Sequence, residues 1–159
     1  ANTLNPEIFK ERLKYNPLNI QIVEGNSYDV MNCCDFLIIA SGSATLEAGL
    51  LGCPMVIVYR LNFITYWLAR LLVNIKLYGL VNIVAEEEVV TELIQNEATV
   101  ENITKEAIKF LCDPEKHENL RCRLLQLRNS LGEPGVLDRV AIRILDFLRE
   151  RKQNEKISI

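Results

Sequence analysis

The chain has 159 residues, of which 49% are hydrophobic and 25% are charged, and its formal net charge is −3. This length and balance predict one globular domain with a sizeable core. The small acidic excess gives no electrostatic reason for a nucleic-acid partner, and we find neither a secretory signal nor an apolar run long enough to span a bilayer. The five cysteines are an odd number without a Cys-X-X-Cys pair. We therefore expect reduced, mostly buried thiols, with no metal site and no disulfide.

The first third of the chain predicts a helix, a strand and a second helix. Residues 5–7, Asn-Pro-Glu, are typical of a helix start, because Asn can cap free N–H groups and Pro needs no N–H partner in the first turn. This helix is expected to end near Tyr15. Asn19–Val23 alternates weakly and predicts a strand, and Ser27 is predicted to cap a short helix that runs through about Cys34.

The chain is organised around a strand–turn–helix–strand unit. Two apolar runs, Phe36–Ala40 and Met55–Tyr59, predict strands buried on both faces, as in a parallel sheet. Between them lie a turn of small residues, Ser41–Thr45, and a helical segment, Leu46–Leu51, which Gly52 and the following Cys-Pro terminate. The fold class is therefore α/β with a parallel sheet and a right-handed crossover.

The turn lies where a strand ends and a helix begins. Open α/β sheets bind ligands at this place, since free N–H groups and the helix dipole favour an anion. Glu47 is expected in the first turn of the helix. It could complement the dipole or contact a ligand, and its spacing leaves both interpretations open.

The segment Arg60–Lys76 combines aromatic, leucine and basic residues without an acid. A core helix with solvated cations explains this composition, and so does a surface helix on an anionic membrane, with Trp at the headgroup level. The residues for such a contact are Arg60, Phe63, Trp67 and Arg70. Arg60 and Arg70 could instead bind a substrate phosphate, and the sequence leaves both interpretations open.

The segment Tyr78–Ile83 reads as a loop or a short strand, in which Asn82 would satisfy its own turn. Three consecutive glutamates, residues 86–88, are then expected to open a helix over Val89–Gln95.

The remainder predicts three helices. Thr99 caps Val100–Cys112, residues 113 and 114 (Asp-Pro) begin a helix to about Leu131, and the last helix covers Val136–Arg149. The stripe of the second helix is Leu120, Leu124, Leu127 and Leu131. His117, the single histidine, is expected on an exposed turn without a catalytic partner.

Two stretches resemble the signatures of lipid-A-disaccharide synthase, a glycosyltransferase family of lipid A assembly in Gram-negative bacteria. They read ASGSATLEAGLLGCPMVIVYRLNFITYWLARLLV and LVNIVAEEEVVTELIQNEAT, and are similar to the family's "ASGTATLE…PMVVVY" and "LPNLLAGRELVPELLQ". The resemblance covers Leu18 to Thr99 well and the later helices more loosely. It departs at residues 86–88, where the family usually has Gly-Arg-Glu and only Glu88 matches.

The resemblance implies a Rossmann-like parallel sheet with several C-terminal helices, an incomplete C-terminal domain of a GT-B glycosyltransferase that forms one domain over residues 1–159. The family transfers 2,3-diacylglucosamine from UDP to 2,3-diacylglucosamine 1-phosphate with inversion and needs no metal or cofactor. Its acceptor site and general base belong to an N-terminal domain that we expect to precede this chain. The chain alone is then not expected to be active.

The resemblance also implies the donor site. The turn would hold the diphosphate with N–H groups and hydroxyls, Glu47 would accept from the ribose hydroxyls, and Asn82 would orient UDP or the donor sugar. The implied donor residues are Ser41, Gly42, Ser43, Thr45, Glu47 and Asn82. The family is cytoplasmic and peripheral on the anionic surface of the inner membrane.

Two alternatives remain open. The chain could be a non-catalytic interaction module, including a homodimer that forms by strand or helix exchange. It could also belong to another GT-B enzyme that uses a UDP-sugar.

Overall fold

The computed structural model describes residues 6–61 and 77–157. Its helices are α1 (Pro6–Leu13), α2 (Ser27–Cys33), α3 (Ser43–Leu50), α4 (Leu80–Ala85), α5 (Val100–Leu111), α6 (Pro114–Ser130) and α7 (Val136–Ile157). Its strands are β1 (Leu37–Ala40), β2 (Met55–Tyr59) and β3 (Glu92–Ile94), and a 3₁₀ turn covers Gln95–Glu97.

The three strands form one parallel sheet in the order β1-β2-β3. Ala40 lies opposite Val58, and Ile57 lies opposite Glu92. Since β2 pairs with both neighbours, its carboxyl end lies between the carboxyl ends of the other two strands. The predicted α/β fold with a Rossmann-like parallel sheet is confirmed.

Helices cover both faces of β2. Met55 and Ile57 belong to a core cluster that includes Ala48 of α3 and Leu124 of α6. Val56 points to the opposite face, where it packs with Leu93 and Ala98. This alternation follows from the two-residue period of a strand, and it fixes α3 and α6 on one side of the sheet.

Local sequence signals set the helix ends. The Thr99 hydroxyl accepts from the Asn102 N–H, and the Asp113 carboxylate accepts from the Lys116 N–H. Thr99 is the predicted N-cap, and Asp113 lies at the predicted helix start, where it acts as the N-cap. The predicted cap Ser27 is wrong, because Asn26 is the N-cap of α2 and Ser27 is its first residue. The side-chain hydrogen bond with Lys116, followed by the backbone bond, holds the pKa of Asp113 below its ordinary value. Helix α3 ends before Gly52, whose φ of 73° lies in the left-handed region that glycine adopts easily.

The amino-terminal part of the sheet differs from the prediction. No strand forms over Asn19–Val23, where the side chains are exposed. Strand β1 is not buried on both faces either, because Ile38 remains 62% exposed. It is an edge strand among the described residues. An alternating pattern predicts a strand only where a neighbour supplies the hydrogen bonds, and among the described residues Asn19–Val23 has no such neighbour.

The region after residue 77 contains two further corrections. Asn82 lies in helix α4, and not in a loop or strand. The predicted helix over Val89–Gln95 is wrong, because Glu92–Ile94 forms β3 against β2. Pairing with a buried strand outweighs the weak helical preference of so short a segment.

The cysteines and the histidine also differ from expectation. Cys33, Cys112 and Cys122 are exposed free thiols, whereas Cys53 is buried, and burial raises its pKa to about 11. His117 lies within helix α6, and its Nε2 is 2.9 Å from the carbonyl oxygen of Asp35. Because a carbonyl can only accept, Nε2 carries the proton. The histidine therefore joins α6 to the start of β1.

Candidate functional site

The small-residue turn connects the carboxyl end of β1 to the amino end of α3. Helix α3 begins at Ser43, directly after Gly42, so the predicted turn Ser41–Thr45 is shorter than expected. Among the described residues, no atom would lie within 4 Å of a Cβ placed on Gly42, and the space beside it is open in that part of the chain. The N–H groups of Ser43 and Ala44 have no partner within the helix, as at any helix start. These N–H groups lie where β1 ends and α3 begins.

Two of the three hydroxyl groups in Ser41–Thr45 donate hydrogen bonds within the chain. Thr45 is fully buried, and its Oγ1 donates to the carbonyl oxygen of Gly42 at 2.8 Å. Ser41 Oγ donates to the carbonyl oxygen of Tyr78 at 2.8 Å. These two hydroxyl protons therefore shape the turn. The N–H groups at the start of α3 and the exposed Ser43 side chain are the donors that a ligand could meet.

Asn82 is fully buried at the centre of a hydrogen-bond network. Its Nδ2 donates to the carbonyl oxygen of Val90 and to Glu92 Oε1, both at 2.8 Å. Its Oδ1 accepts from the N–H groups of Val89 at 2.9 Å and Val90 at 3.0 Å. These four bonds use both amide protons and both oxygen lone pairs. The observed contacts of Asn82 are thus all internal, and its contact with a donor remains a prediction.

Glu92, which the sequence analysis did not single out, connects this network to the turn. Its Oε2 accepts from the Tyr78 N–H at 2.7 Å, and its Oε1 accepts from the Gly79 N–H at 2.8 Å. Ser41 binds the carbonyl oxygen of the same Tyr78. Tyr78 is therefore held at its N–H by β3 and at its carbonyl by the residue after β1. The second signature contains a Glu at the position of Glu92, and that match is the signal that could have identified it.

Glu47 lies apart from this network. It is the fifth residue of α3, so the expectation that it lies in the first turn is wrong. Because the helix dipole acts mainly within the first turn, it is a weaker reason for a carboxylate at this position. It lines a pocket of about 340 Å³ whose other walls are Tyr28, Leu50, Leu51, Arg128 and Leu131. The negative charge of Glu47, and then its hydrogen bond with the phenol, raise the pKa of Tyr28. Arg128 Nε donates to the carbonyl oxygen of Leu50 at 2.8 Å.

Of the predicted membrane residues, the structure describes Arg60 alone. Its Nη2 donates to the carbonyl oxygen of Ala98 at 2.6 Å. Next to it, the carbonyl oxygen of Leu61 accepts from Gln95 Nε2 at 3.1 Å. Phe63, Trp67 and Arg70 lie outside the described residues. Among the helices within the described ranges, none is sufficiently long and apolar to cross a bilayer.

The fold and the turn define an α/β protein of the Rossmann-like class, with an N–H-rich turn between a parallel strand and the following helix. A family model described as "Lipid-A-disaccharide synthetase" matches residues 2–136. The chain belongs to the lipid-A-disaccharide synthase family.

Individual relatives agree with this assignment. The chain is 35% identical to lipid-A-disaccharide synthase of Syntrophus aciditrophicus, over 94% of this chain and 39% of the relative. It is 38% identical to that of Geobacter metallireducens, over 96% of this chain and 40% of the relative. The chain is 40% identical to lipid-A-disaccharide synthase of Nitrosococcus oceani, over 83% of this chain and 34% of the relative. The chain thus spans about two fifths of the length of the first two relatives.

Proposed function

We propose that this chain is the UDP-sugar-binding part of a lipid-A-disaccharide synthase. The whole enzyme would transfer 2,3-diacylglucosamine from UDP to 2,3-diacylglucosamine 1-phosphate, with inversion and without a metal, in lipid A biosynthesis. Family membership supports the reaction class. The observation that carries the assignment to this part of the chain is the open turn at Gly42, directly before the N–H groups of α3.

The proposed chemistry is electrostatic. As UDP leaves, negative charge grows on its diphosphate, and N–H groups already oriented towards that position stabilise the charge without reorganisation. Gly42 allows the phosphate oxygens to approach the backbone. Ser41 and Thr45 hold the turn in shape through their bonds to Tyr78 and Gly42. Glu47 would accept from the ribose hydroxyls, and Asn82 would act by holding the backbone after α4 in place.

The test is calorimetric titration of the 159-residue chain with UDP. A separate titration with ADP is the control for nucleotide specificity. The decisive variant is Ser43→Glu, which adds a negative charge to the start of α3. The charge is compatible with the helix dipole but repels a diphosphate, so we expect UDP binding to weaken more than about tenfold. Val100→Glu is the matched control, because it adds the same charge to the exposed first residue of α5.

The two results have separate meanings. UDP-selective binding that Ser43→Glu removes and Val100→Glu leaves intact supports the assignment. A folded chain that gives no heat with UDP contradicts it, as does a chain that binds ADP equally well.

We further propose that the whole enzyme is cytoplasmic and bound peripherally to the anionic inner membrane through Arg60, Phe63, Trp67 and Arg70. The composition of that segment supports this proposal. Flotation with vesicles containing anionic lipid tests it, with Trp67→Ala and Arg70→Ala as variants. Equal flotation of the wild type with neutral and anionic vesicles contradicts it.

A second candidate is an assembly module that forms a homodimer by helix exchange. The observation in its favour is that α7 exposes an apolar series, Val136, Leu137, Val140, Ile144, Phe147 and Leu148. Sedimentation equilibrium distinguishes the two: a stable dimer without UDP binding favours the module, and UDP binding favours the enzyme part.

A further inference from the structure

We propose that Glu92 is a positioning residue of the donor site, which fixes the Tyr78–Gly79 peptide against the turn without contacting the ligand. This inference rests on the proposed function. It adds a residue that neither the family match nor the relatives assign to a role.

The geometry gives Glu92 three donors. Its two carboxylate oxygens accept from the N–H groups of Tyr78 at 2.7 Å and Gly79 at 2.8 Å, and from Asn82 Nδ2 at 2.8 Å. Hydrogen bonds to an ionised group are shorter and stronger than neutral ones. Glu92 is only partly exposed and begins β3, which pairs with β2. The Glu92 carboxylate therefore fixes the Tyr78–Gly79 peptide, which precedes α4, relative to the sheet.

The same peptide reaches the donor turn on its other side. The Tyr78 carbonyl oxygen accepts from Ser41 Oγ at 2.8 Å. If Tyr78 moved, Ser41 would lose its acceptor, and the backbone between β1 and Gly42 would lose a constraint. Glu92 thus acts on the turn through Tyr78 and Ser41.

Two electrostatic consequences favour an anion at the turn. A carbonyl oxygen facing a diphosphate would repel it, but the Tyr78 carbonyl is occupied by the Ser41 hydroxyl. A free carboxylate near the site would also repel it, but three N–H donors surround that of Glu92. The network therefore gives both groups internal hydrogen-bond donors, which partly offset their negative charge.

The experiment compares UDP titrations of the wild-type chain and Glu92→Gln. Gln keeps one acceptor oxygen, but its NH₂ group would meet at least one of the N–H donors and cannot accept from it. Because the Tyr78–Gly79 peptide then loses a constraint, we expect about tenfold weaker UDP binding. In ¹⁵N-resolved spectra the amide protons of Tyr78 and Gly79 should shift upfield as their bonds weaken. Glu92→Asp, which keeps the charge on a shorter side chain, should be intermediate and serves if Glu92→Gln does not fold.

The matched control is Glu106→Gln. Glu106 is also a partly buried glutamate and accepts from Thr91 Oγ1 at 2.9 Å, next to Glu92 in the chain, but the structure gives it no bond to Tyr78 or Gly79. We expect a comparable change in melting temperature and unchanged UDP affinity. A loss of affinity in both variants, in proportion to stability, would overturn the positioning role.

A double-mutant cycle with Ser41→Ala separates positioning from general destabilisation. If Glu92 acts through Tyr78 and Ser41, the affinity losses of the two single variants should be less than additive, and fully additive losses would overturn the inference. If the wild-type chain binds UDP and the affinity of Glu92→Gln for UDP is within twofold of the wild-type affinity, this inference alone is rejected. A wild-type chain that does not bind UDP rejects the proposed function, and this inference with it.

Discussion

The side chain of Asn82 engages both polar atoms of the Val90 backbone: Nδ2 donates to its carbonyl oxygen at 2.8 Å, and Oδ1 accepts from its N–H at 3.0 Å. Val90 lies outside the sheet, and the Asn82 side-chain amide makes the two backbone hydrogen bonds that a neighbouring strand would otherwise make with it. Since Asn82 is fully buried, a substitution that reduces UDP binding can do so by releasing the backbone. Binding data on Asn82 variants therefore require a parallel measurement of stability.

We expect Asn82→Asp to lower the free energy of unfolding by at least about 3 kcal/mol, because it buries a carboxylate against the Val90 carbonyl oxygen and the Glu92 carboxylate. Asn82→Ala should cost about 2 kcal/mol through unpaired backbone groups. Urea unfolding of the chain measures both. Asn119→Asp, on the exposed surface of α6, is the control, and equal stability of the two aspartate variants would contradict this account.

Gly79 is a glycine because of its neighbour in β2. A Cβ on Gly79 would overlap Cδ1 of Ile57, which is fully buried. We expect Gly79→Ala to cost about 1–3 kcal/mol through overpacking. Ile57→Val removes Cδ1 and should recover most of this loss in the double variant, although alone it costs about 1 kcal/mol. Thermal unfolding of the four proteins is the measurement, and additive losses would show that the steric account is wrong.

Glu86 ends α4 with φ of 58° and ψ of 14°, in the left-handed region. The family signature has Gly at this position, so the departure noted in the sequence coincides with a backbone conformation that glycine prefers. We expect Glu86→Gly to raise the free energy of unfolding by about 1 kcal/mol. Glu87→Gly should lower the free energy of unfolding. Residue 87 does not have a positive φ, and the Glu87 carboxylate pairs with Arg123 at 2.8 Å. Opposite signs in denaturant unfolding confirm the explanation.

The contact between Tyr28 and Glu47 predicts a change in the titration of Tyr28 at alkaline pH. The Glu47 charge and hydrogen bond raise the pKa of Tyr28 above 10.0, so the folded state favours the neutral phenol. This contribution to stability is complete below the ordinary tyrosine pKa and is lost as pH rises through the raised one. Glu47→Gln should therefore move the Tyr28 titration to lower pH, as followed by phenolate absorbance, with Tyr28→Phe to assign the signal. An unchanged titration would show that the two groups do not interact in solution.

The central unit could be predicted because its signals are local. Strand β2 has the predicted limits, since Met55–Tyr59 is an uninterrupted apolar run between Pro54 and Arg60. The cap at Thr99 and the helix start at Asp113 were likewise predictable from a few adjacent residues. The leucine stripe of α6 was correct for its buried members, but Leu131 follows the helix and is 48% exposed.

The network around Asn82 could not be predicted in the same way. Its partners are ten residues away in Glu92 and eight in Val90, and the contact forms only because β3 pairs with β2. A three-residue strand is too short to display a period, so its identity depends on tertiary pairing. The turn was identified together with Ser41 and Thr45, whereas the contribution of Tyr78 and Glu92 to holding it in place was not.

The hydrogen bonds of Arg60, Leu61 and Tyr78 join two separate parts of the chain to the same short stretch. Arg60 and Leu61 are joined to Ala98 and Gln95, and Tyr78 is joined to Glu92. All three partners lie within residues 92–98, which run from β3 to the residue before the cap of α5. A displacement of this stretch would therefore move the end of β2 and the start of α4 together, and would reach the turn through the bond between Tyr78 and Ser41.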